Sequence, residues 1–163
     1  MSICSNSYLS DVFTTLSGGA SAFVVTGGSV LSGRKVFFTS DVWYPALIRF
    51  FDYLESEAGV TIEIAGHYKS KHPQIAPCFG NRRVHYGKTQ TLVRNSEFVI
   101  TRYSAALSYA VIYEKPIICI YSNQLMSDQQ AMRTTHCTAN ILGNKPVNID
   151  DLPINLKDFL KVN

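Results

Sequence analysis

Charge is scarce in this chain. Only 17% of its 163 residues are Asp, Glu, Lys or Arg, against 46% hydrophobic, which excludes a disordered polar chain and supplies apolar material for one good core. A length of this order favours one domain over two. Cysteine is sparse and scattered. Cys4, Cys78, Cys119 and Cys137 show neither CxxC nor Cys/His ligand spacing, so no zinc site and no disulfide framework is expected, and a reducing cytoplasm is the default. No apolar run approaches the roughly 18 residues of a membrane span. The first residues lack the basic and apolar regions of a secretory leader. A cytoplasmic protein without an integral membrane segment is therefore expected, free or peripheral at the inner face of the membrane.

Several chemistries lack their motifs. Gly87-Lys88-Thr89 resembles the end of a phosphate-binding loop, but GxxxxGK[ST] needs a glycine where this chain has Arg82, so a nucleoside-triphosphatase is rejected. There is no GxSxG elbow, and Glu63, Glu114 and Asp128 form no carboxylate pair in sequence, which leaves hydrolysis unsupported. Internal repeats are also missing.

What is present is a mildly basic chain, +3 with a pI near 8.7. Its positive residues thicken only at Lys69, Lys71, Arg82, Arg83 and Lys88. That cluster suits a phosphate-bearing small molecule better than the broad footprint of a nucleic acid.

The most organised stretch is Ser96 to Ser122. An apolar strand over Phe98 to Thr101 leads through Tyr103-Ser104 into a small-residue helix over Ala105 to Tyr113, and Lys115-Pro116 stops it before a second strand, Ile117 to Tyr121. Strand, helix, strand is the unit that builds parallel sheets. Upstream, residues 1 to 33 read as an irregular tail or linker, with strand-like composition at Ala22 to Thr26. A candidate domain spans 34 to 163. Within it Lys35 to Thr39 reads as a strand, Ser40-Asp41 as a helix start with Pro45 in the first turn, and Ala46 to Glu57 as a helix with Leu47, Ile48, Phe50, Phe51 and Leu54 at helical spacing. Val60 to Ala65 alternates as a strand. Arg83 to Tyr86 reads as a strand, Thr89 as a cap, and Gln90 to Asn95 as a short helix. Met126 to Thr135 has helical composition, Asn144 to Ile149 is extended, and Asp150 to Leu160 suggests a closing helix interrupted at Pro153. The sum is an α/β, Rossmann-like three-layer domain with a mostly parallel sheet of about five strands.

Two places could carry chemistry. At the strand-to-helix junction, Thr101, Ser104 and the N–H groups of Ala105 and Ala106 could hold a diphosphate or carboxylate. The plain alternative is that Ser104 only caps the helix and the alanines only pack, and cap residues are the commoner case. The second place is the loop after the Val60 to Ala65 strand, where Gly66 and His67 are followed by Lys69, Ser70 and Lys71. A histidine there could bind a phosphate or act as an acid, with a lysine as point charge. A merely solvated loop is the alternative.

The order of these pieces resembles a known family. The run S-x-x-V-I-T-x-x-S-x-x-L-x-x-A-V, completed by K-P-I-I at Lys115 to Ile118, with GHYKS at Gly66 to Ser70 and Gly87-Lys88-Thr89 between, is similar to the nucleotide-sugar-binding C-terminal half of bacterial GT-B glycosyltransferases of the surface and capsular polysaccharide type. The similarity covers about residues 35 to 125. It implies a domain that grips the nucleotide and phosphates of a nucleotide sugar, with His67 as the catalytic candidate and Gly66, Lys69, Ser70, Lys88, Thr89, Thr101, Ser104, Ala105 and Ala106 as donor-binding residues. No metal or other cofactor is implied beyond the nucleotide sugar itself. Such a domain, of hexosyl- or sialyl-type if active, needs a partner chain or self-association to supply an acceptor domain. Tyr68 stands where the family has proline. The alternative is a non-catalytic interaction or regulatory domain that keeps the fold without the donor site.

Overall fold

The computed structural model describes residues 12–13, 21–25, 40–66, 76–102, 104 and 107–159. They form seven strands, β1 (Val12–Phe13), β2 (Ser21–Val25), β3 (Thr61–Gly66), β4 (Val84–Tyr86), β5 (Phe98–Thr101), β6 (Ile117–Tyr121) and β7 (Val147–Asn148), with helices α1 (Ser40–Ala58), α2 (Thr89–Asn95), α3 (Leu107–Ile112) and α4 (Gln129–Ile141). Six strands run parallel. β2 pairs with β3 on one side and β5 on the other, β4 pairs with β3, and β6 lies between β5 and β7. Because β2 and β4 both pair with Ile64, they occupy opposite edges of β3. The spatial order is therefore β4-β3-β2-β5-β6-β7. β1 is antiparallel to the end of β3, with Val12 opposite Gly66.

Counted from β2, that order is 3-2-1-4-5-6, the doubly wound arrangement of Rossmann-like domains, which reverses direction between its first and fourth strands. The α/β three-layer expectation holds, with more strands than the five expected. The pivot is β2, which falls in the stretch the sequence suggests is a tail. Its five residues, SAFVV, are flanked by paired glycines that hide any longer period, yet they form the middle of the sheet.

Crossover handedness assigns the layers. A right-handed β-α-β unit puts its helix on one face when the chain moves toward one edge, and on the other face when it moves back. The β2-α1-β3 unit and the β3-to-β4 connection move toward β4. The connections through α2, α3 and α4 move toward β7. The core divides in the same way. Trp43, Leu47, Phe50, Phe51 and Leu54 of α1, together with Cys78 and Phe79 of a 3-10 turn (Ala76–Phe79), pack on Ile62, Ile64, Phe98, Ile100, Ile118 and Ile120. Leu92 and Val93 of α2, Ala110 of α3 and Ala139 of α4 pack on Ala65, Val99, Ile117 and Cys119. The period-2 alternation along each buried strand sends successive side chains to the two layers.

α1 begins at Ser40, so Pro45 lies inside the helix rather than opening it. One end of α1 is tied to the β3–β4 side by Arg82. Its Nη2 lies 2.5 Å from both Asp52 Oδ1 and Glu55 Oε2, its Nη1 donates to the Phe79 carbonyl, and its guanidinium sits over the Phe51 ring. Burial works against the charge, and the hydrogen bonds and charges of Glu55 and Asp52 outweigh it, holding the guanidinium above its usual range. Glu55 Oε1 also accepts from the Ile62 N–H, so the same carboxylate sets where β3 starts.

Two readings change. The closing helix is only a 3-10 turn at Leu156–Asp158, after Pro153, which cannot continue a helix. Cys78 is disulfide-bonded to a residue outside the described ones, contrary to the expectation that cysteines stay unpaired, whereas Cys119 and Cys137 are free. The Lys35 to Thr39 strand expectation lies outside the described residues.

Candidate functional site at the carboxyl edge of the sheet

In a doubly wound sheet the crevice opens beyond the carboxyl ends of the two strands flanking the reversal. Here those strands are β2 and β5, ending at Val25 and Thr101, which are paired with each other. Thr101 is fully buried in an apolar layer, and its Oγ1 has no hydrogen-bond partner among the described residues. An unpaired buried hydroxyl costs on the order of 1–3 kcal/mol. The sequence following β2 is Thr26-Gly27-Gly28-Ser29, a glycine signal next to the crevice whose residues lie outside the described ones.

Ser104 is 6% exposed and hydrogen-bonded. Its carbonyl accepts from the Leu107 N–H at 3.2 Å, and the helix proper begins at Leu107 and runs for six residues. Ala105 and Ala106, assigned N–H donors from sequence, lie outside the described residues, as do His67, Lys69 and Ser70.

Gly66 closes β3 opposite Tyr86. A Cβ here would run into the Tyr86 ring, with Cδ1 at 2.9 Å, and into Val84 Cγ1 at 3.0 Å. Packing thus explains the glycine without a ligand. Lys88 is exposed and occupies the N-cap of α2, its carbonyl accepting from Leu92 N–H. Thr89, expected as the cap, is instead the first helical residue, and neither side chain makes a cap hydrogen bond. Of the sequence-assigned positions, the structure therefore brings Thr101 and Ser104 together at the crevice, and places Gly66, Lys88 and Thr89 at the β3–β4 end of the same edge.

Three features escaped the sequence. Ser122, extended and directly after β6, is buried, and its Oγ has no hydrogen-bond partner among the described residues. It stands three residues past Cys119, as Ser104 stands three past Thr101, and Thr101 and Cys119 are register partners. Glu63 and His85 meet across β3 and β4, with His85 Nε2 3.0 Å from Glu63 Oε2. Beyond β7, Asn148 Nδ2 donates to Asn123 Oδ1 and to Asp151 Oδ2, both at 2.8 Å, Asp150 Oδ2 accepts from the Asn123 N–H, and Arg49 reaches Asp150 at 3.5 Å. A lone acidic residue inside an apolar strand is a local signal that could have pointed to the second.

Among the described residues no group of three or more His, Cys, Asp or Glu is placed to hold a metal ion, and no helix is long and apolar enough to cross a membrane. The described residues define a Rossmann-order α/β domain whose sheet reverses direction between β2 and β5. No known protein family, curated protein or solved structure matches the chain.

Proposed function

We propose that the chain is a glycosyltransferase-like domain that binds a nucleotide-sugar donor of surface polysaccharide synthesis and needs a partner domain or second copy for transfer. The observation that carries this reading is the fully buried Thr101 hydroxyl at the carboxyl end of β5, where the sheet order reverses, which has no hydrogen-bond partner among the described residues. A hydroxyl retained there at a cost to stability is accounted for if a ligand oxygen accepts its hydrogen bond. The resemblance of the Ser96 to Ile118 run to donor-binding domains adds the ligand class. In this reading the nucleotide and its phosphate or phosphates lie beyond the carboxyl ends of β2 and β5, with His67, Lys69 and Ser70 contributed by the segment that follows β3 and Ala105 and Ala106 by the residues that precede α3. Titration calorimetry of the full chain against UDP-, CMP- and GDP-sugars tests it. Binding of one of these by wild type, weakened by Thr101→Val and abolished by Ser104→Tyr, is the expected result. No binding, or binding indifferent to both substitutions, defeats it.

A second reading is favoured by one observation. Val111 and Ile112 on α3 are 58% and 68% exposed, an apolar surface suited to an interaction domain that has lost the donor site. A chain that binds no nucleotide sugar, and whose self-association is broken by Ile112→Lys, would fit this reading and not the first.

A further inference from the structure

Cys78 is disulfide-bonded, while Cys119 and Cys137 are free. The chain holds four cysteines. Within one chain the partner of Cys78 is therefore Cys4, which precedes β1 in the sequence and lies outside the described residues. The bond joins the amino-terminal end of the chain to the stretch between β3 and β4.

The Cys78 end is a fixed anchor. Cys78 is 7% exposed and belongs to the core under α1. Its neighbour Phe79 is fully buried, with its ring edge-on to Tyr44 at 5.2 Å, and the Phe79 carbonyl accepts from Arg82 Nη1, which Asp52 and Glu55 hold in turn through the same guanidinium. The Gly80 N–H closes the turn on the Pro77 carbonyl at 3.2 Å.

β1 is held far less. It joins the sheet through two residues, Val12 opposite Gly66 and Phe13 opposite Ala65. Ala65 also pairs with His85 of β4, so β1 lies on the other edge of β3, the one that carries β2, and it takes over that edge where β2 stops, Val24 being opposite Ile64. The Ile64 N–H donates to the Arg83 carbonyl on the β4 side, so by alternation the Ala65 N–H faces β1. A two-residue ladder near a chain terminus gains little against the backbone entropy lost on ordering it. The chain leading into β2 restrains one end of β1, and the disulfide restrains the other. A cross-link that confines both ends removes conformations that the detached strand would otherwise gain.

We infer that the Cys4–Cys78 disulfide is a redox latch that keeps β1 on β3. A dithiol reductant opens it. One thiolate of the dithiol attacks a sulfur of the bond, the other cysteine leaves as a thiolate and takes up a proton, and the second thiol of the reductant displaces the remaining cysteine from the mixed disulfide. Cys4 and Cys78 gain two electrons and two protons, which the dithiol loses as it closes to its own disulfide. With the latch open β1 detaches, and Ala65 loses its partner on that edge, next to the carboxyl end of β2. A reducing compartment would hold the latch open and an oxidising one would hold it closed. The latch does not depend on the donor-site reading.

The test compares the oxidised full chain, the same chain treated with dithiothreitol, and Cys4→Ser, which leaves the buried Cys78 in place. Peptide mapping without reductant should return one cross-linked pair, Cys4 with Cys78. Amide hydrogen exchange at Phe13 and Ala65 should quicken about tenfold or more on reduction and lose its dependence on added urea, the mark of local release, while β5 and β6 amides keep the urea dependence of global unfolding. Cys4→Ser should match the reduced chain and be indifferent to dithiothreitol. A Cys78 bond to any other cysteine or to a second copy overturns the inference, as does a bond that dithiothreitol leaves intact in the native chain. Exchange at Phe13 and Ala65 that still follows global unfolding after reduction also overturns it, and makes the bond a staple of the whole fold.

Discussion

The two ends of the sheet's carboxyl edge treat polar groups in opposite ways. Beyond β7, Asn123, Asn148, Asp150, Asp151 and Arg49 form a network in which donors meet acceptors at 2.8 to 3.5 Å. At β5 and just past β6, Thr101 Oγ1 and Ser122 Oγ are buried with no hydrogen-bond partner among the described residues. Buried polar groups are ordinarily satisfied, so a closed network reads as stability and a row of open groups as a surface built for something else. The difference separates the part of the edge that holds the fold from the part available to a ligand.

The largest effects belong to the region that holds the fold. Phe50→Ala empties a fully buried site in the α1 layer and should cost about 3–5 kcal/mol by denaturant unfolding, with the slope unchanged. Asn148→Ala opens the β7 network and should cost about 1–3 kcal/mol, because Asn123 and Asp151 lose their shared donor. A loss at Asn148 no larger than at an exposed residue would erase the distinction between the two ends.

Substitutions at the open end should do the reverse. Thr101→Val removes an unpaired hydroxyl at nearly constant volume and should leave stability unchanged or raise it by up to about 1 kcal/mol, while lowering nucleotide-sugar affinity. A stability loss at Thr101 as large as at Asn148 would show that its hydroxyl is satisfied in the fold after all.

The smallest effect is one of pH. Burial pushes the Cys119 thiol from its ordinary 9.0 up to about 12. Its folded value is raised, so the unfolded chain ionises first and its contribution to stability is full below pH 9 and lost as pH rises toward 12. Cys119→Ala should flatten that alkaline slope in unfolding curves. In native chain at neutral pH, iodoacetamide should label exposed Cys137 and spare Cys119.

Much of this fold was legible in the sequence. β5 and β6 coincide with the expected spans because each is a short apolar run bounded by punctuation, Ser96 before one and Lys115-Pro116 before the other. α1 shows its core face at helical spacing in Leu47, Phe50, Phe51 and Leu54. The central role of β2 was hidden, since a five-residue run between glycines carries no sign of which neighbours it will pair with, and sheet order is decided by crossovers tens of residues long. At the site, Thr101 and Ser104 could be named because strand end and helix start are local features. The Glu63–His85 contact and the Asn123–Asn148 bond could not, because both depend on register between distant strands. The Thr89 cap was misjudged for a related reason: the turn that opens α2 is fixed by the Lys88 carbonyl, a backbone group available to any residue.

The central claim is that the orphan hydroxyl on β5 marks a donor site. Calorimetry of wild type and Thr101→Val against UDP-, CMP- and GDP-sugars, on samples whose unfolding curves coincide, tests it most directly. The expected result is binding of one nucleotide sugar by wild type and a loss of about tenfold in affinity in the variant, the worth of one buried hydrogen bond near 1.4 kcal/mol. Equal affinity in the two proteins, or no binding by either, would contradict it.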